Sequence, residues 1–536
     1  MSRQQVAAVM ILAAGAGTRM NSATPKVLHS IAGRSLLHHA INAANELEPN
    51  RLVVVVRHER DAVAAHATNV APGVLVADQD EIPGTGRAVF CGLSALDAAS
   101  VAAAVAQGQR GDEALAARAS GAVLVTSADV PLVTGELLAA LADEHYGSGN
   151  AVTMLTARVA DPGAYGRIIR GTDGAVLRIV EAKDASGAEL AVDEINAGIY
   201  AFDAGTLRSA LANVGRDNAQ REMYLTDVVE IARESGGRVG AFIAPDAAAV
   251  EGVNDRVQLA AAGATLNRTI LERWMRAGVS IVDPSTTWID ADVELEPDSI
   301  ILPGTQLLGA TSVATGASVG PDTTLVDTEV GVRAKVVRTH ANLAVIGVDA
   351  EVGPFAHLRP GAIVGEGGKV GEFVGVKNSV IGAGAKVPHL SYVGDAEIGE
   401  GSNVGAGTIF VNYDGVGKHR TSVGSHVRIG SDNTLIAPVT IGDGAYTGAG
   451  SVIRRDVPSG ALGVSAGAQR NIEGWVARAR AGTAAANAVV RPSADDELSP
   501  QARAERDRAA AASADTPPTP PPALPDSGSN PKDSAR

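Results

Sequence analysis

The first half of the chain alternates continuous apolar runs with segments that have helical periodicity. The runs are rich in β-branched residues and cover Val6 to Leu12, 51–56, 74–77, 122–129 and 151–159. Between them, residues 36–47 and 135–146 carry apolar side chains at helical spacing. Continuous β-branched strands separated by helices are typical of a mostly parallel sheet that is covered on both faces. We therefore predict an α/β domain over residues 1–253.

Beyond Ile281 the apolar residues follow a different period and recur at every sixth position. Glycine often follows them, and a six-residue period fits neither a helix nor an alternating strand. The six-residue spacing holds within four series: Val352, Leu358, Val364, Val370 and Val376; then Ile381, Val387 and Val393; then Ile398, Val404 and Phe410; and, after a longer gap, Val423, Ile429, Leu435 and Ile441. The pattern is typical of a hexapeptide β-helix, in which each repeat forms one side of a triangular coil. We predict this fold over residues 279–475.

Three other segments complete the expected organisation. Residues 254–278 read as a linker helix, with apolar side chains near one face of 256–276. Residues 97–121 are rich in alanine and read as a surface helix or disordered insertion in the first domain. Residues 476–536 become rich in alanine, arginine and proline, so they bury too little apolar surface to fold and are expected to be a disordered tail.

Composition limits the partners and the compartment. The single cysteine, Cys91, excludes a disulfide framework and favours the cytoplasm. A formal net charge of −15 argues against nucleic acid or an anionic membrane surface as a partner. No apolar run is expected to reach the roughly 18 residues of a membrane-spanning helix. The expected partners are therefore small molecules.

The candidate chemistry of the first half lies in a glycine-rich turn after the first strand. The stretch LAAGAGTRMNSATPKVLH carries Gly15, Gly17, Arg19 and Lys26. Backbone N–H groups in such a turn can hold phosphate oxygens, and the two cations can neutralise them. In parallel sheets ligands bind beyond the carboxyl ends of the strands, where this turn and Asp129 both lie. We therefore predict a phosphate-binding site at this edge.

The candidate chemistry of the second half lies where the six-residue period breaks. The interval VNYDGVGKHRTS separates Phe410 from Val423, and insertions in a solenoid become loops on one face. Polar and cationic side chains occur in this loop and in the neighbouring coils: Arg359, Lys377, His389, Tyr392, Asn403, Asn412, Tyr413, Lys418, His419 and Arg420. Taken alone His389 suits a structural role, whereas the surrounding cations favour a binding site.

With these motifs in both halves, the chain resembles the bifunctional N-acetylglucosamine-1-phosphate uridyltransferase / glucosamine-1-phosphate N-acetyltransferase family over about residues 6–475. The segments KVPHLSYVGDAEIG and SAGAQRNIEGW resemble its actinobacterial members. The resemblance implies an α/β Rossmann-like nucleotidyltransferase domain followed by a left-handed parallel β-helix of hexapeptide repeats. It also implies a cytoplasmic homotrimer that acetylates glucosamine 1-phosphate with acetyl-CoA and then couples the product to UTP, releasing pyrophosphate.

For uridylyl transfer, the resemblance assigns phosphate, uracil and sugar contacts along the first domain. Asp129 and Asn254 are expected to hold Mg²⁺ through oxygen, the ligand type that this cation prefers. The residues implied to bind UTP or the UDP-sugar are Leu12, Ala13, Gly15, Arg19, Lys26, Gln79, Gly84, Thr85, Gly166, Glu181, Asn196 and Asn254.

For acetyl transfer, the resemblance makes His389 the general base that takes a proton from the sugar amine. The residues implied to hold the sugar phosphate and line its pocket are Arg359, Lys377, Tyr392, Asn403 and Lys418. Those implied to contact acetyl-CoA or line the same pocket are Ala406, Asn412, Tyr413, Ser431 and Ala449.

The chain departs from the family pattern near both sites. Arg87 stands where histidine is common, and Ala128 replaces a glycine, so its Cβ is expected to crowd the nucleotide. Gly375 replaces a glutamate near the amino-sugar site, and Ser465 with Ala466 replaces a basic residue that some members use for coenzyme A. Two alternatives stay open: a nucleotidyltransferase whose β-helix is only structural or regulatory, and a non-catalytic solenoid scaffold.

Overall fold

The computed structural model describes residues 4–465, 467–490 and 504. The chain divides into two units between residues 466 and 467. The first unit contains an α/β sheet followed by a β-helix, as the sequence predicts. The expected disordered tail lies mostly outside the described residues. Its described part contains two short helices, Trp475–Ala479 and Ala484–Val490.

A nine-stranded sheet forms the core of the first half. The strands are β1 (Ala8–Ala13), β2 (Ser30–Ile31), β3 (Arg34–Ser35), β4 (Leu52–Val56), β5 (Leu75–Asp78), β6 (Ala122–Ser127), β7 (Val152–Arg158), β8 (Arg167–Arg170), β9 (Val176–Val180), β10 (Glu194–Asp203) and β11 (Val239–Ile243), of which β2 and β3 form a separate hairpin. The main path runs β11-β7-β10-β6-β1-β4-β5. Strands β6, β1, β4 and β5 are parallel, so their carboxyl ends share one edge.

Helices cover both faces of this sheet. They are α1 (Leu36–Asn45), α2 (Arg60–Val70), α3 (Thr85–Ala106), α4 (Gly111–Ala116), α5 (Gly135–Gly147), α6 (Gly187–Leu190), α7 (Ala204–Leu211) and α8 (Asp227–Glu234), with 3₁₀ turns at Thr18–Met20, Lys26–Leu28 and Ala247–Val250. The segment expected to be an insertion, 97–121, comprises the end of α3, the short α4 and the turns around it.

Helix α3 corrects one expectation from the sequence. It is long and apolar enough, by length and composition, to cross a membrane, so the expectation that no run reaches that length was wrong. Its side chains Val89, Leu93 and Leu96 are buried in the same apolar cluster as Val53 and Val55 of β4. A third of its apolar window is buried (33%). This packing is that of a helix covering one face of a sheet.

The linker helix expected over 254–278 is present as α9 (Arg256–Arg276). The Asp255 side chain caps its start by accepting hydrogen bonds from the backbone N–H groups of Val257 and Gln258, each at 2.9 Å. Near its end, Ile270 and Leu271 are buried in the core of the β-helix. The helix thereby closes the first coils and links them to the α/β domain.

Among the residues that the structure describes, thirty short strands follow α9 and build the β-helix. In chain order they are β12 (Ser280–Ile281), β13 (Trp288–Ile289), β14 (Glu294–Leu295), β15 (Ile300–Ile301), β16 (Gln306–Leu308), β17 (Ser312–Val313), β18 (Ser318–Val319), β19 (Thr324–Val326), β20 (Glu329–Val330), β21 (Lys335–Val336), β22 (His340–Asn342), β23 (Val345–Ile346), β24 (Glu351–Val352), β25 (His357–Leu358), β26 (Ala362–Val364), β27 (Lys369–Glu372), β28 (Gly375–Lys377), β29 (Ser379–Ile381), β30 (Lys386–His389), β31 (Tyr392–Gly394), β32 (Ala396–Ile398), β33 (Asn403–Val404), β34 (Ile409–Val411), β35 (Thr421–Val423), β36 (Arg428–Ile429), β37 (Thr434–Ile436), β38 (Val439–Ile441), β39 (Tyr446–Thr447), β40 (Val452–Ile453) and β41 (Leu462–Gly463).

Successive coils stack their strands in register in three parallel sheets. Every third strand belongs to the same sheet up to β40, and pairs such as Val352 with Val370 bring apolar residues directly over one another. All the apolar positions predicted by the six-residue period are at most 3% exposed. The β-helix predicted from this period is therefore confirmed.

We expect Leu325→Ala to lower the free energy of unfolding by about 2–5 kcal/mol, because Leu325 is fully buried in the stack and its loss leaves a cavity. The neighbouring Thr324→Ala removes a partly exposed side chain from the same strand and should cost less than about 0.5 kcal/mol. Urea denaturation followed by circular dichroism measures both changes. Equal effects of the two substitutions would contradict the inward stack.

Candidate functional site

A cavity of about 540 Å³ opens at the carboxyl ends of the parallel strands in the α/β domain. Strand β1 lies between β4 and β6, and Leu12 pairs with both Val55 and Ser127. The loops that follow these strands therefore meet at one edge. Of the residues expected to contact UTP, the sugar or the metal, those lining the cavity are Leu12, Ala13, Gly15, Lys26, Gln79, Gly84, Thr85, Asp129, Gly166, Glu181, Asn196 and Asn254.

A charged cluster stands at the centre of this edge. The Lys26 ammonium contacts Asp129 Oδ2 in an ion pair and lies 3.5 Å from Asn254 Oδ1. Arg19 does not line the cavity, but its Nη2 donates to the same Asn254 oxygen at 2.8 Å. Ser127 Oγ donates to Asp129 Oδ1 at 2.6 Å. Two oxygen acceptors from distant parts of the chain thus converge on one cation.

The loop expected to read the base is held by close backbone contacts. A Cβ at Gly84 would lie 2.3 Å from the carbonyl oxygen of Met223, and its φ is +116°, so only glycine fits. The backbone N–H of Leu225 donates to Thr85 Oγ1 at 3.1 Å. Gln79 Nε2 donates to the carbonyl oxygen of Ile82 at 2.9 Å, which orients its side-chain amide beside the cavity.

The opposite wall contains the residues expected to bind the sugar. The backbone N–H of Asn196 donates to the Gly166 carbonyl at 2.9 Å, and its side-chain Nδ2 donates to the Tyr200 hydroxyl at 2.7 Å. Burial raises the pKa of the Glu181 carboxyl, and a weak hydrogen bond from Thr226 opposes the shift. This wall therefore offers polar atoms on a fixed backbone.

Two residues that depart from the family pattern, Ala128 and Arg87, have side chains that do not line the cavity. Ala128 is fully buried in the apolar core beside β1, so the expectation that its Cβ crowds the nucleotide was wrong. Arg87 pairs with Asp80, with Nε 3.0 Å from Oδ2, and its guanidinium lies over the Phe90 ring.

Sequence reasoning missed several lining residues of the same cavity. Arg57 and His58 follow the carboxyl end of β4, and Ser127 ends β6, so their positions after predicted strands were an available signal. Tyr200 and Glu222 reach the cavity from β10 and from a loop before α8. Only the tertiary structure places these last two beside the nucleotide loop.

The β-helix places His389 at the end of β30, and the structure gives it a partner that sequence reasoning missed. Its Nδ1 lies 2.9 Å from Oε1 of Glu372, which ends β27 in the preceding coil. Both side chains are about half exposed, at 49% and 46%. The backbone N–H of Gly407 donates to the His389 carbonyl at 3.4 Å, which joins this position to the next coil.

A cationic group forms on a neighbouring part of the β-helix surface. Contact with the Lys418 ammonium lowers the pKa of Lys377, although the nearby Asp395 carboxylate opposes the shift and Arg359 adds to it. Burial acts to raise the pKa of Asp395, but hydrogen bonds from Asn378 and Asn412 together with the two lysines lower it overall. The structure thus brings Arg359, Lys377, Lys418 and Asn412 together, as the sequence predicts.

The loop that breaks the six-residue period carries Lys418 to this group. Tyr413 pairs with Lys418 across a short antiparallel bridge, and His419 Nε2 lies 2.7 Å from Asp414 Oδ2. Backbone N–H donors, of Gly417 first, and the His419 contact hold the pKa of Asp414 well below its usual range. The loop is therefore folded on itself, with the Tyr413 ring exposed.

The remaining predicted residues occupy successive coils around these two groups. The carbonyl of Ala406 accepts from the N–H of Asp432 at 2.7 Å, and that of Ser431 accepts from the N–H of Gly450 at 2.9 Å. Ala406, Ser431 and Ala449 thus form a row along one corner. Asn403 begins β33, and Tyr392 begins β31.

The structure describes only one of the two neighbouring residues that replace a basic residue of the family pattern. Ser465 Oγ accepts from the N–H of Val452 at 2.7 Å in the last coil, whereas Ala466 lies outside the described residues. In the part of the chain that the structure describes, no hydrogen bond or ion pair joins His389 to the cationic group.

Comparisons with known proteins agree with both halves. Residues 9–172 match the MobA-like NTP transferase domain family, and residues 420–455 match the bacterial transferase hexapeptide family. The bifunctional protein GlmU of Kineococcus radiotolerans is 57% identical over 92% of this chain and 96% of its own. That of Paenarthrobacter aurescens is 57% identical over 90% of this chain and 93% of its own.

A third relative is matched over nearly its whole length. The bifunctional protein GlmU of Nocardia farcinica is 55% identical over 94% of this chain and 99% of its own. Identity at this level, over nearly complete chains and across both domains, is far above what a shared fold alone requires. The chain therefore belongs to the bifunctional GlmU protein family.

Proposed function

We propose that this chain makes UDP-N-acetylglucosamine in two steps at two separate sites. The β-helix transfers an acetyl group from acetyl-CoA to glucosamine 1-phosphate, and the α/β domain transfers a uridylyl group from UTP to the product. The observation that carries this proposal is the presence, in one chain, of a cavity at the sheet edge that Lys26 and Asp129 line, and of a histidine–carboxylate pair and a lysine pair on the β-helix. The product would supply peptidoglycan synthesis.

In the first reaction, the sugar amine attacks the thioester carbonyl of acetyl-CoA. The C–N bond forms and the C–S bond breaks, while His389 takes a proton from the amine and returns one to the departing thiolate sulfur. Arg359, Lys377 and Lys418 hold the sugar phosphate, because their charges are close enough for one lysine to lower the pKa of another. The corner row at Ala406 contacts acetyl-CoA through small side chains and backbone groups.

In the second reaction, a phosphate oxygen of N-acetylglucosamine 1-phosphate attacks the α-phosphorus of UTP in line. The bond from that phosphorus to the bridging oxygen breaks, and pyrophosphate leaves. No enzyme nucleophile is needed, so the protein contributes alignment and charge. Lys26 and Arg19 neutralise the phosphates, and the loop at Gly84 reads the uracil edge while Glu181 and Asn196 hold the sugar.

The oxygens of Asp129 and Asn254 fit a Mg²⁺ ion. Both already face a single cation in the structure, the Lys26 ammonium, and both are hard oxygen donors. Within the described residues no cluster of three or more His, Cys, Asp or Glu side chains is arranged to hold a metal ion. Protein carboxylates and substrate phosphates usually share a Mg²⁺ ion between them. When bound, the ion would offset the charge that develops on the phosphates.

Assembly and location follow from the same proposal. Hexapeptide β-helices of this family support a homotrimer, and we expect the chain to form one and to act in the cytoplasm on small molecules. The competing function is a nucleotidyltransferase with a structural β-helix. The Glu372 contact of His389 and the lysine pair favour the bifunctional reading, because a purely structural β-helix needs neither.

We expect His389→Ala to lower acetyl transfer by roughly 100- to 10,000-fold, because the general base is lost, and to leave uridylyl transfer unchanged. Release of free thiol from acetyl-CoA and release of pyrophosphate, measured separately, report the two reactions. His340→Ala removes another exposed histidine of the β-helix and is the matched control. If both activities fell equally in folded protein, the assignment to separate sites would be wrong.

We expect Asp129→Ala to do the reverse and to lower uridylyl transfer by roughly 100-fold or more, because the carboxylate that pairs with Lys26 and would hold Mg²⁺ beside the phosphates is lost. The assay supplies N-acetylglucosamine 1-phosphate, UTP and Mg²⁺ and follows pyrophosphate. Asp112→Ala, on the exposed first turn of α4, serves as the control. Unimpaired pyrophosphate release by Asp129→Ala would remove this residue from the site.

A further inference from the structure

We propose that Glu372 is a positioning residue for acetyl transfer, which holds the His389 ring so that Nε2 faces the substrate as the base. The proposal rests on the function proposed above, in which His389 takes the proton. Glu372 acts through the histidine and does not itself touch the reacting atoms. Neither the repeat pattern nor the family resemblance pointed to this residue.

The pairing of the two residues is set by the strand register. Strands β27 and β30 are parallel neighbours, and Glu372 stands directly opposite His389 in adjacent coils. Side chains at paired positions point to the same side of the sheet, about 4.8 Å apart. The carboxylate oxygen reaches Nδ1 at 2.9 Å. The contact therefore follows from the backbone arrangement and does not depend on long, mobile side chains meeting by chance.

The backbone on both sides of the pair is closely held. A Cβ at Gly371 would lie 1.8 Å from the Pro388 carbonyl oxygen, so glycine is required for the two strands to approach. The N–H of Leu390 donates to the Glu372 carbonyl at 2.9 Å, and Ser391 Oγ donates to the His389 carbonyl at 2.8 Å. These contacts fix the backbone positions from which both side chains project.

The chemistry of the pair selects one tautomer of the ring. An ionised carboxylate only accepts hydrogen bonds, so Nδ1 must carry the hydrogen in this contact. In the neutral ring the lone pair then lies on Nε2, on the opposite side from Glu372. When Nε2 takes a proton from the amine, the positive ring stays beside a carboxylate. A carboxylate beside a catalytic histidine orients the ring, selects its tautomer and stabilises its positive charge.

The carboxylate beside His389 stands at a different position from the glutamate of the family pattern. Gly375 stands where the family pattern has a glutamate, and it pairs with Tyr392 in the next sheet. A glutamate at residue 375 would thus project from a different strand than the partner of His389. In this chain, the carboxylate next to the base comes from β27.

The test compares Glu372→Ala and Glu372→Gln in the full-length enzyme. We expect Glu372→Ala to lower kcat for acetyl transfer by roughly 10- to 100-fold, with KM for glucosamine 1-phosphate and acetyl-CoA within about twofold of the wild type. Glu372→Gln keeps an acceptor oxygen and should recover part of the loss. Glu351→Gln removes an exposed carboxylate of the same sheet that pairs with Lys369, and it should leave kcat unchanged.

A spectroscopic readout separates positioning from a structural role. In protein labelled with ¹⁵N-histidine, the His389 signals are identified by their loss in His389→Ala. We expect Nδ1 to be the protonated nitrogen in the wild type and the Nε2–H form to gain population in Glu372→Ala. Uridylyl transfer by the same preparations reports that the chain is folded.

Each contrary result has a distinct meaning. Wild-type kcat in Glu372→Ala, with His389→Ala inactive, would overturn the positioning role alone. A raised KM with unchanged kcat would also overturn it, because Glu372 would then contact the substrate. Acetyl transfer that survives His389→Ala would overturn the proposed base, and with it this inference.

Discussion

Parallel strands stacked in register are the constraint on which both candidate sites depend. Hydrogen bonds between neighbouring strands fix which residues stand side by side, and in the β-helix every coil repeats this alignment. The inward positions then form a continuous apolar stack, as at Val352 and Val370. The outward positions form equally regular rows, in which Glu372 and His389 stand side by side. One backbone arrangement thus provides both the stability and the alignment of the chemistry.

The same constraint acts differently in the α/β domain. There, parallel alignment of β1, β4 and β6 brings their carboxyl ends to one edge, and the loops that follow supply the cations and oxygens. Asn254, at the start of the linker helix, completes the group from far along the chain. The hairpin of β2 and β3 contacts the β-helix, since the Ala291 N–H donates to the Ala32 carbonyl at 2.9 Å. The α/β domain and the first coils of the β-helix are therefore joined by a backbone hydrogen bond as well as by α9.

Local charge, and not overall charge, would suit the two candidate sites to the phosphorylated substrates proposed for them. The chain has a formal net charge of −15, but it concentrates cations where anions are expected. Lys26 and Arg19 lie at one site, and Arg359, Lys377 and Lys418 lie at the other. In each group a carboxylate and an amide accompany the cations: Asp129 with Asn254, and Asp395 with Asn412. These partners offset part of the repulsion when no substrate is present.

The sequence by itself determined the two folds, because the spacing of apolar residues along the chain is a local property. In a strand or a coil of known geometry, that spacing sets which side chains are buried. The sequence also located the glycine-rich turn after β1 and the loop at Lys418, since the first follows a recognisable strand and the second breaks a regular repeat. The family resemblance, and not the residue pattern, implied most of the twelve predicted residues that line the cavity. Sequence reasoning mistook the direction of the Ala128 Cβ, which points into the core. It also missed Tyr200 and Glu222, which reach the cavity from elements distant in the chain.

Only the tertiary structure decided which residues became partners. Glu372 and His389 are separated by a whole coil, and a one-residue change in register would turn one of them to the other face of the sheet. Nothing local in either segment encodes that pairing. It arises when the stacked coils fix their mutual register through backbone hydrogen bonds and the apolar residues inside.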